Sequence, residues 1–157
     1  MSEARPQNKA RRAAVPEEAV YVELMRTADT LSRPVAELLK TEDLSPPQYN
    51  VLRILRGSPA GLNCGEVGRR MISRDPDITR LLDRLEKRRL ISRHRDDNKD
   101  RRVVSARITA GGLALLARLD EPVCDVHRRL LGHLGTERLR GLSQLLTACR
   151  TELGSSY

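Results

Sequence analysis

The chain has 157 residues, 39% hydrophobic and 32% charged, with a formal net charge of +8. That length suits one domain with a real core, and no apolar run approaches the ~20 residues of a membrane span, which excludes an integral helical membrane protein. The basic balance points to a polyanionic partner, nucleic acid before a membrane surface; with no Phe, no Trp and three Tyr, the core must be built from Leu, Val, Ile and Ala.

Residues 1–15 read as a disordered basic arm, with Arg5, Lys9, Arg11 and Arg12 against Glu3. They contain no apolar stretch of the kind a secretory signal needs, so a cytoplasmic location is expected. Cys64, Cys124 and Cys149 are odd in number and far apart, which fits a reducing compartment rather than a disulfide framework.

A helix is predicted from Pro16-Glu17-Glu18, whose acids suit the positive end of its dipole. Val20, Leu24, Ala28, Leu31, Val35 and Leu38 recur at helical spacing as one apolar stripe. Pro34 interrupts it and predicts a kink, or a restart after Ser32. Ser45-Pro46-Pro47-Gln48 carries a capping box and a proline at the first turn, so a second helix begins there, buried through Val51, Leu52, Ile54 and Leu55 and ended by Gly57. After an extended Gly61-Leu62, Asn63 caps a third helix with Glu66 three residues on. Ile72-Ser73-Arg74 forms a turn, and Asp75-Pro76-Asp77 opens a fourth helix with Asp75 as its cap. Ile78, Leu81, Leu82 and Leu85 face inward there, leaving Thr79, Arg80, Asp83, Arg84 and Lys87 outside. This pair is a helix-turn-helix.

Two short strands follow, Ile91–Arg95 and Val103–Ile108, around a charged loop from Asp96 to Arg102, which together make a hairpin wing. Thr109 caps another long helix, which Pro122 is expected to bend; Gly132 and Gly135 mark a break, and Thr136 is the expected cap of the last helix. The long outer helices have too little middle to pack on within one chain, so they are expected to pair with the same helices of a second copy. The architecture is thus mainly α with a small β-hairpin wing: dimerisation helices at 16–44 and 110–157 around a winged helix-turn-helix at 45–109.

Charge placement points the same way. Residues 69–107 hold 14 Lys/Arg against 7 Asp/Glu, nearly all of the net charge. A helix that fits the major groove beside a cationic finger suits double-stranded DNA. Arg74, Pro76, Asp77, Thr79, Arg80 and Arg84 start or line the exposed face of that helix, and Arg80 suits the bidentate contact to guanine. Arg95 and Lys99 are expected to contact phosphate, and Arg101 and Arg102 at the wing tip to contact DNA, where the negative potential of a narrow minor groove attracts Arg. Asp100 braces Arg101, and Asp83 is expected to brace an arginine rather than touch DNA.

The run from Ile78 to Glu86, followed by Leu90-Ile91-Ser92-Arg93, Asp100-Arg101-Arg102 and Ile108-Thr109-Ala110-Gly111-Gly112, resembles the MarR family of bacterial regulators; so does Leu44 to Leu52 upstream. The likeness covers about residues 17–153. It implies a dimeric winged-helix repressor on a pseudo-palindromic operator, with Arg101 in the minor groove and an effector pocket between the dimer helices and the DNA-binding lobe. Arg33, Val35, Leu38, Tyr49, Leu52, Leu116 and His127 are its candidate lining, for a small aromatic or anionic effector. One departure is Arg89, where the family usually has Gly; a left-handed conformation there costs a non-Gly residue roughly 1 kcal/mol.

Two other readings compete: a winged-helix protein-interaction module, and a redox-responsive regulator acting through Cys64, which stands near a helix N-terminus. Cys124 and His127 share a helix face, but no carboxylate-rich partner accompanies them, so no metal or other cofactor is expected. No catalytic constellation or phosphate loop is present, so an enzyme is not expected.

Overall fold

The computed structural model describes residues 15–73, 77–95 and 104–154. In chain order these form α1 (Pro16–Lys40), α2 (Pro46–Arg56), β1 (Leu62–Asn63), α3 (Cys64–Arg70), α4 (Ile78–Lys87), β2 (Ile91–Arg95), β3 (Val104–Ile108), α5 (Ala110–Leu131), a 3-10 turn (Gly132–Leu134) and α6 (Gly135–Gly154). None of the described helices is long and apolar enough to cross a membrane.

The chain divides into two compact units, Met1–Arg33 and Pro34–Tyr157. The first holds the opening turns of α1, with Val20, Tyr21 and Met25 exposed and Arg33 ion-paired to Asp29 one turn back. The second holds everything else. Pro34 lies inside α1, so the restart predicted after Ser32 does not occur. A proline in a helix interior costs about 3 kcal/mol, through the lost hydrogen bond and the clash of its ring with the preceding turn; in the second unit the turn after Pro34 recovers energy by burying Leu39 and packing Val35 and Leu38 on the core. Pro122 is likewise carried inside α5.

The core of the second unit is aliphatic, as the composition requires. Leu39, Val51, Leu52, Leu55, Val67, Leu85 and Leu116 are fully enclosed, and Leu81, Leu82, Leu90, Ile91, Ala106 and Leu119 join them. Both predicted capping boxes form. Ser45 Oγ accepts from Gln48 N while Gln48 Oε1 accepts from Ser45 N, and Asn63 and Glu66 do the same at 2.9 and 2.8 Å. Thr109 caps α5 through Gly112 N at 3.1 Å. Two expected caps move. The cap of α4 is Asp77, not Asp75, because the helix starts at Ile78 and Asp77 Oδ1 then reaches the orphan N–H of Arg80. Thr136 is not the cap of α6, which starts one residue earlier at Gly135; the φ of +73° there turns the chain out of the 3-10 segment and favours glycine.

The hairpin is wider than the two strands predicted. Its sheet has the order β1-β3-β2, all antiparallel, with Leu62 opposite Ala106 and Ile91 opposite Ile108. The extended Gly61-Leu62 stretch thus leads into a third strand that ties the helix-turn-helix to the wing.

Two helices end in the same left-handed device. Leu44 N donates to Leu39 O and Asp43 N to Lys40 O, with Asp43 at φ 52°; Leu90 N donates to Leu85 O and Arg89 N to Glu86 O, with Arg89 at φ 57°. These are Schellman caps, whose positive-φ position favours glycine. The strain anticipated at Arg89 is therefore present. Arg89→Gly is expected to stabilise the protein by about 1 kcal/mol, which raises the thermal midpoint by about 3 °C for a chain of this size. An unchanged or lower midpoint would show that the arginine side chain offsets its backbone strain.

Candidate nucleic-acid interface

The helix-turn-helix is assembled on the core from both ends. Val67 anchors α3, and Leu81, Leu82 and Leu85 anchor α4. The turn between them is held by Asn50 of α2, whose Oδ1 accepts from Ile72 N at 2.8 Å. That hold leaves the Ile72 side chain 88% exposed. Sequence reasoning missed Asn50, because its partner lies twenty-two residues away.

With its apolar side fixed, α4 turns Thr79, Arg80 and Arg84 to solvent, and Asp77 is exposed at its start. Among the described residues no ion pair engages Arg80 or Arg84. Asp77 is committed in part to its capping bond. Arg95 closes β2 opposite Val104. Arg74, Pro76, Lys99, Asp100, Arg101 and Arg102 lie outside the described residues, and the predicted wing-tip contacts fall on four of them.

Asp83 braces an arginine, as expected, and the partner is Arg93 of β2. Arg93 Nη2 pairs with both Asp83 and Glu86, its Nε donates to Glu86 Oε2 at 2.8 Å, and its backbone N–H donates to Glu86 Oε1 at 3.1 Å. The hydrogen bond it donates to Glu86 is the first reason the Arg93 guanidinium is held more firmly protonated than usual, with Asp83 adding to it. Arg93 stands two residues from the buried Ile91, so strand alternation places it on the helix-facing side; that signal was available in the sequence.

A second arginine ties α4 to the corner between α1 and α2. Arg88 donates to Asp43 O at 2.5 Å and to Glu42 O at 2.9 Å. The Glu42 carboxylate accepts from Arg118 of α5 at 2.9 Å, and that hydrogen bond holds its carboxyl below the usual range. Arg56 and Asp120 add a further link at 2.8 Å between α2 and α5.

Six of the seven residues expected to line an effector pocket lie in the second unit. Leu52 and Leu116 are fully enclosed in the core. Tyr49 is buried with its ring 5.8 Å from the Arg53 guanidinium. Val35 and Leu38 are half-buried, and His127 is exposed on α5. Arg33 belongs to the N-terminal unit. A cavity of about 420 Å³ opens at the corner between α1 and α2, lined by Ala36, Lys40, Asp43, Leu44, Ser45, Pro46 and Gln48. Cys64 is half-buried, its Sγ 3.6 Å from Thr79 Oγ1 on α4, whereas Cys124 and Cys149 are exposed. Among the described residues no three His, Cys, Asp or Glu side chains gather as metal ligands.

A model of the MarR family matches residues 44–104. A MarR transcription factor from Planctomyces limnophilus is 40% identical, with 88% of this chain and 99% of that one covered and a TM-score of 0.66. A mutant MarR from E. coli complexed with operator DNA is 24% identical over 83% of this chain and 93% of that one, TM-score 0.75. The organohalide-sensing RdhR regulator in its 2,4-dichlorophenol-bound form is 18% identical over 95% of this chain and 89% of that one, TM-score 0.79.

Proposed function

The chain belongs to the MarR family of transcription regulators, and from that premise we propose that it is a repressor that binds a pseudo-palindromic operator as a homodimer and leaves it when a small aromatic or anionic effector binds. The observation that carries the DNA reading is the exposed side of α4, where Thr79, Arg80 and Arg84 stand beside a basic hairpin in the segment that holds most of the net charge. Phosphate neutralisation supplies affinity there, and side chains on the helix supply sequence readout. The operator-bound MarR from E. coli supports the same use of this fold.

The dimer reading rests on apolar side chains that each unit leaves uncovered. In the N-terminal unit Tyr21 is 64% and Val20 56% exposed; in the second, Leu145 on α6 is 68% exposed. Pairing with a second copy buries such residues, and a two-fold dimer sets its recognition helices about 34 Å apart, one turn of DNA. The effector reading draws on the dichlorophenol-bound relative. A ligand releases DNA only through a difference in affinity between the two dimer shapes.

The test is selection of bound fragments from the genome that encodes the protein, at moderate salt. The proposal expects a small set of fragments sharing an inverted repeat, with affinity falling steeply as salt rises. Binding that is weak, indifferent to sequence and insensitive to salt would favour a protein-interaction module instead.

A further inference from the structure

The recognition helix carries an electrostatic contradiction. Between Asp77 and Arg88 it holds four basic residues, Arg80, Arg84, Lys87 and Arg88, against three acids, Asp77, Asp83 and Glu86. Asp77 caps the helix. The other two acids sit one turn apart on its polar side, 46% and 39% exposed at their side chains. Carboxylates in that position repel phosphate, and they are also the groups that accept from cytosine N4 in the major groove.

We infer that Arg93 is a positioning residue for DNA recognition: it draws Asp83 and Glu86 toward strand β2 and masks their charge, so that α4 meets the duplex through Thr79, Arg80 and Arg84. This rests on the DNA-binding reading above and adds a residue to it. A guanidinium is suited to the task because its planar fork of donors serves two carboxylates at once. Here Nε and Nη2 both reach Glu86 Oε2, at 2.8 and 2.7 Å, while Nη2 also pairs with Asp83. The grip is reinforced by the backbone, since β2 is an edge strand and Glu86 Oε1 covers the Arg93 N–H that faces away from β3. Half-exposed ion pairs add little to stability, so fold stability alone does not account for three groups arranged this closely. The mask also excludes Asp83 and Glu86 from base readout.

The experiment compares operator and competitor DNA binding by the full chain with Arg93→Met, and with Arg93→Met combined with Asp83→Asn and Glu86→Gln, alongside thermal midpoints. Arg93→Met is expected to weaken operator binding about tenfold, the effect of one uncompensated charge near phosphate, with the midpoint moved by no more than a few degrees. The triple variant, in which no charge needs masking, is expected to return to within about threefold of the parent. Parent-like binding by Arg93→Met overturns the inference, and so does a triple variant as weak as Arg93→Met, which would mark Arg93 as mere scaffold. If Arg93→Met does not fold, Asp83→Asn with Glu86→Gln decides: its freed guanidinium is expected to tighten competitor binding and steepen the salt slope by about one per protomer, and an unchanged slope overturns the inference. A parent protein that binds no DNA at all refutes the proposed function itself, and this inference with it.

Discussion

Replacing Gly112 with alanine is expected to destabilise the protein by about 2 kcal/mol, whereas the same change at its neighbour Gly111 is expected to stabilise it by about 0.5 kcal/mol. Both glycines lie in the first turn of α5, so helix propensity favours alanine equally at each. Their surroundings differ. A Cβ at Gly112 would collide with Leu90 O and lie 2.7 Å from Ile108 Cγ1, while at Gly111 it would meet nothing closer than 3.6 Å. Leu90 O is not free to move, because it accepts from Thr109 N at 3.0 Å where α5 leaves the sheet. Thr109 Oγ1 also donates to Arg89 O at 2.7 Å, so the end of α4 and the start of α5 form one close junction. Thermal or urea unfolding of the two variants checks the contrast; equal midpoints would show that the junction yields without cost.

Arg80→Ala is expected to weaken binding to the selected operator roughly ten- to hundredfold per half-site, equivalent to about 1–3 kcal/mol for one bidentate base contact. The loss should be concentrated at one base-pair position, where discrimination relaxes, while binding to unrelated DNA changes little. Lys99→Ala is the control: a residue proposed to contact phosphate should, when removed, weaken all sequences alike and reduce the salt slope by about one. Arg80 is suited to this role because its side chain is exposed on a helix whose inner side is pinned by Leu81, Leu82 and Leu85. Competition assays on single-base operator variants separate the two outcomes, and an equal loss on every sequence would remove Arg80 from base readout.

How much of this was legible in the chain depends on the range of the interaction. The two capping boxes, the Thr109 cap and the inward positions of α4 are written within three or four residues, and each forms as the sequence predicts. Arg89 was legible for the same reason, since a left-handed residue after a helix is a local demand. Features that join distant segments were not. Strand β1 exists only because Leu62 and Asn63 find partners more than forty residues on. The Asn50 hold on Ile72 and the Arg88 grip on Glu42 and Asp43 are of the same kind. Leu52 and Leu116 suit a pocket as well as a core on sequence grounds, because apolar residues line both, and only packing separates the two. Pro34 shows one of two local expectations set aside: the restart after Ser32 does not occur, and burial of the following turn offsets the cost of a proline inside the helix.

The most direct test is a hydroxyl-radical footprint of the purified protein on a selected genomic fragment, read together with the stoichiometry of the complex. Two protomers per fragment and two protected half-sites, centred about one helical turn apart and related by an inverted repeat, are the expected result. A complex of one protomer with a single protected patch, or protection spread evenly along the fragment, would contradict it.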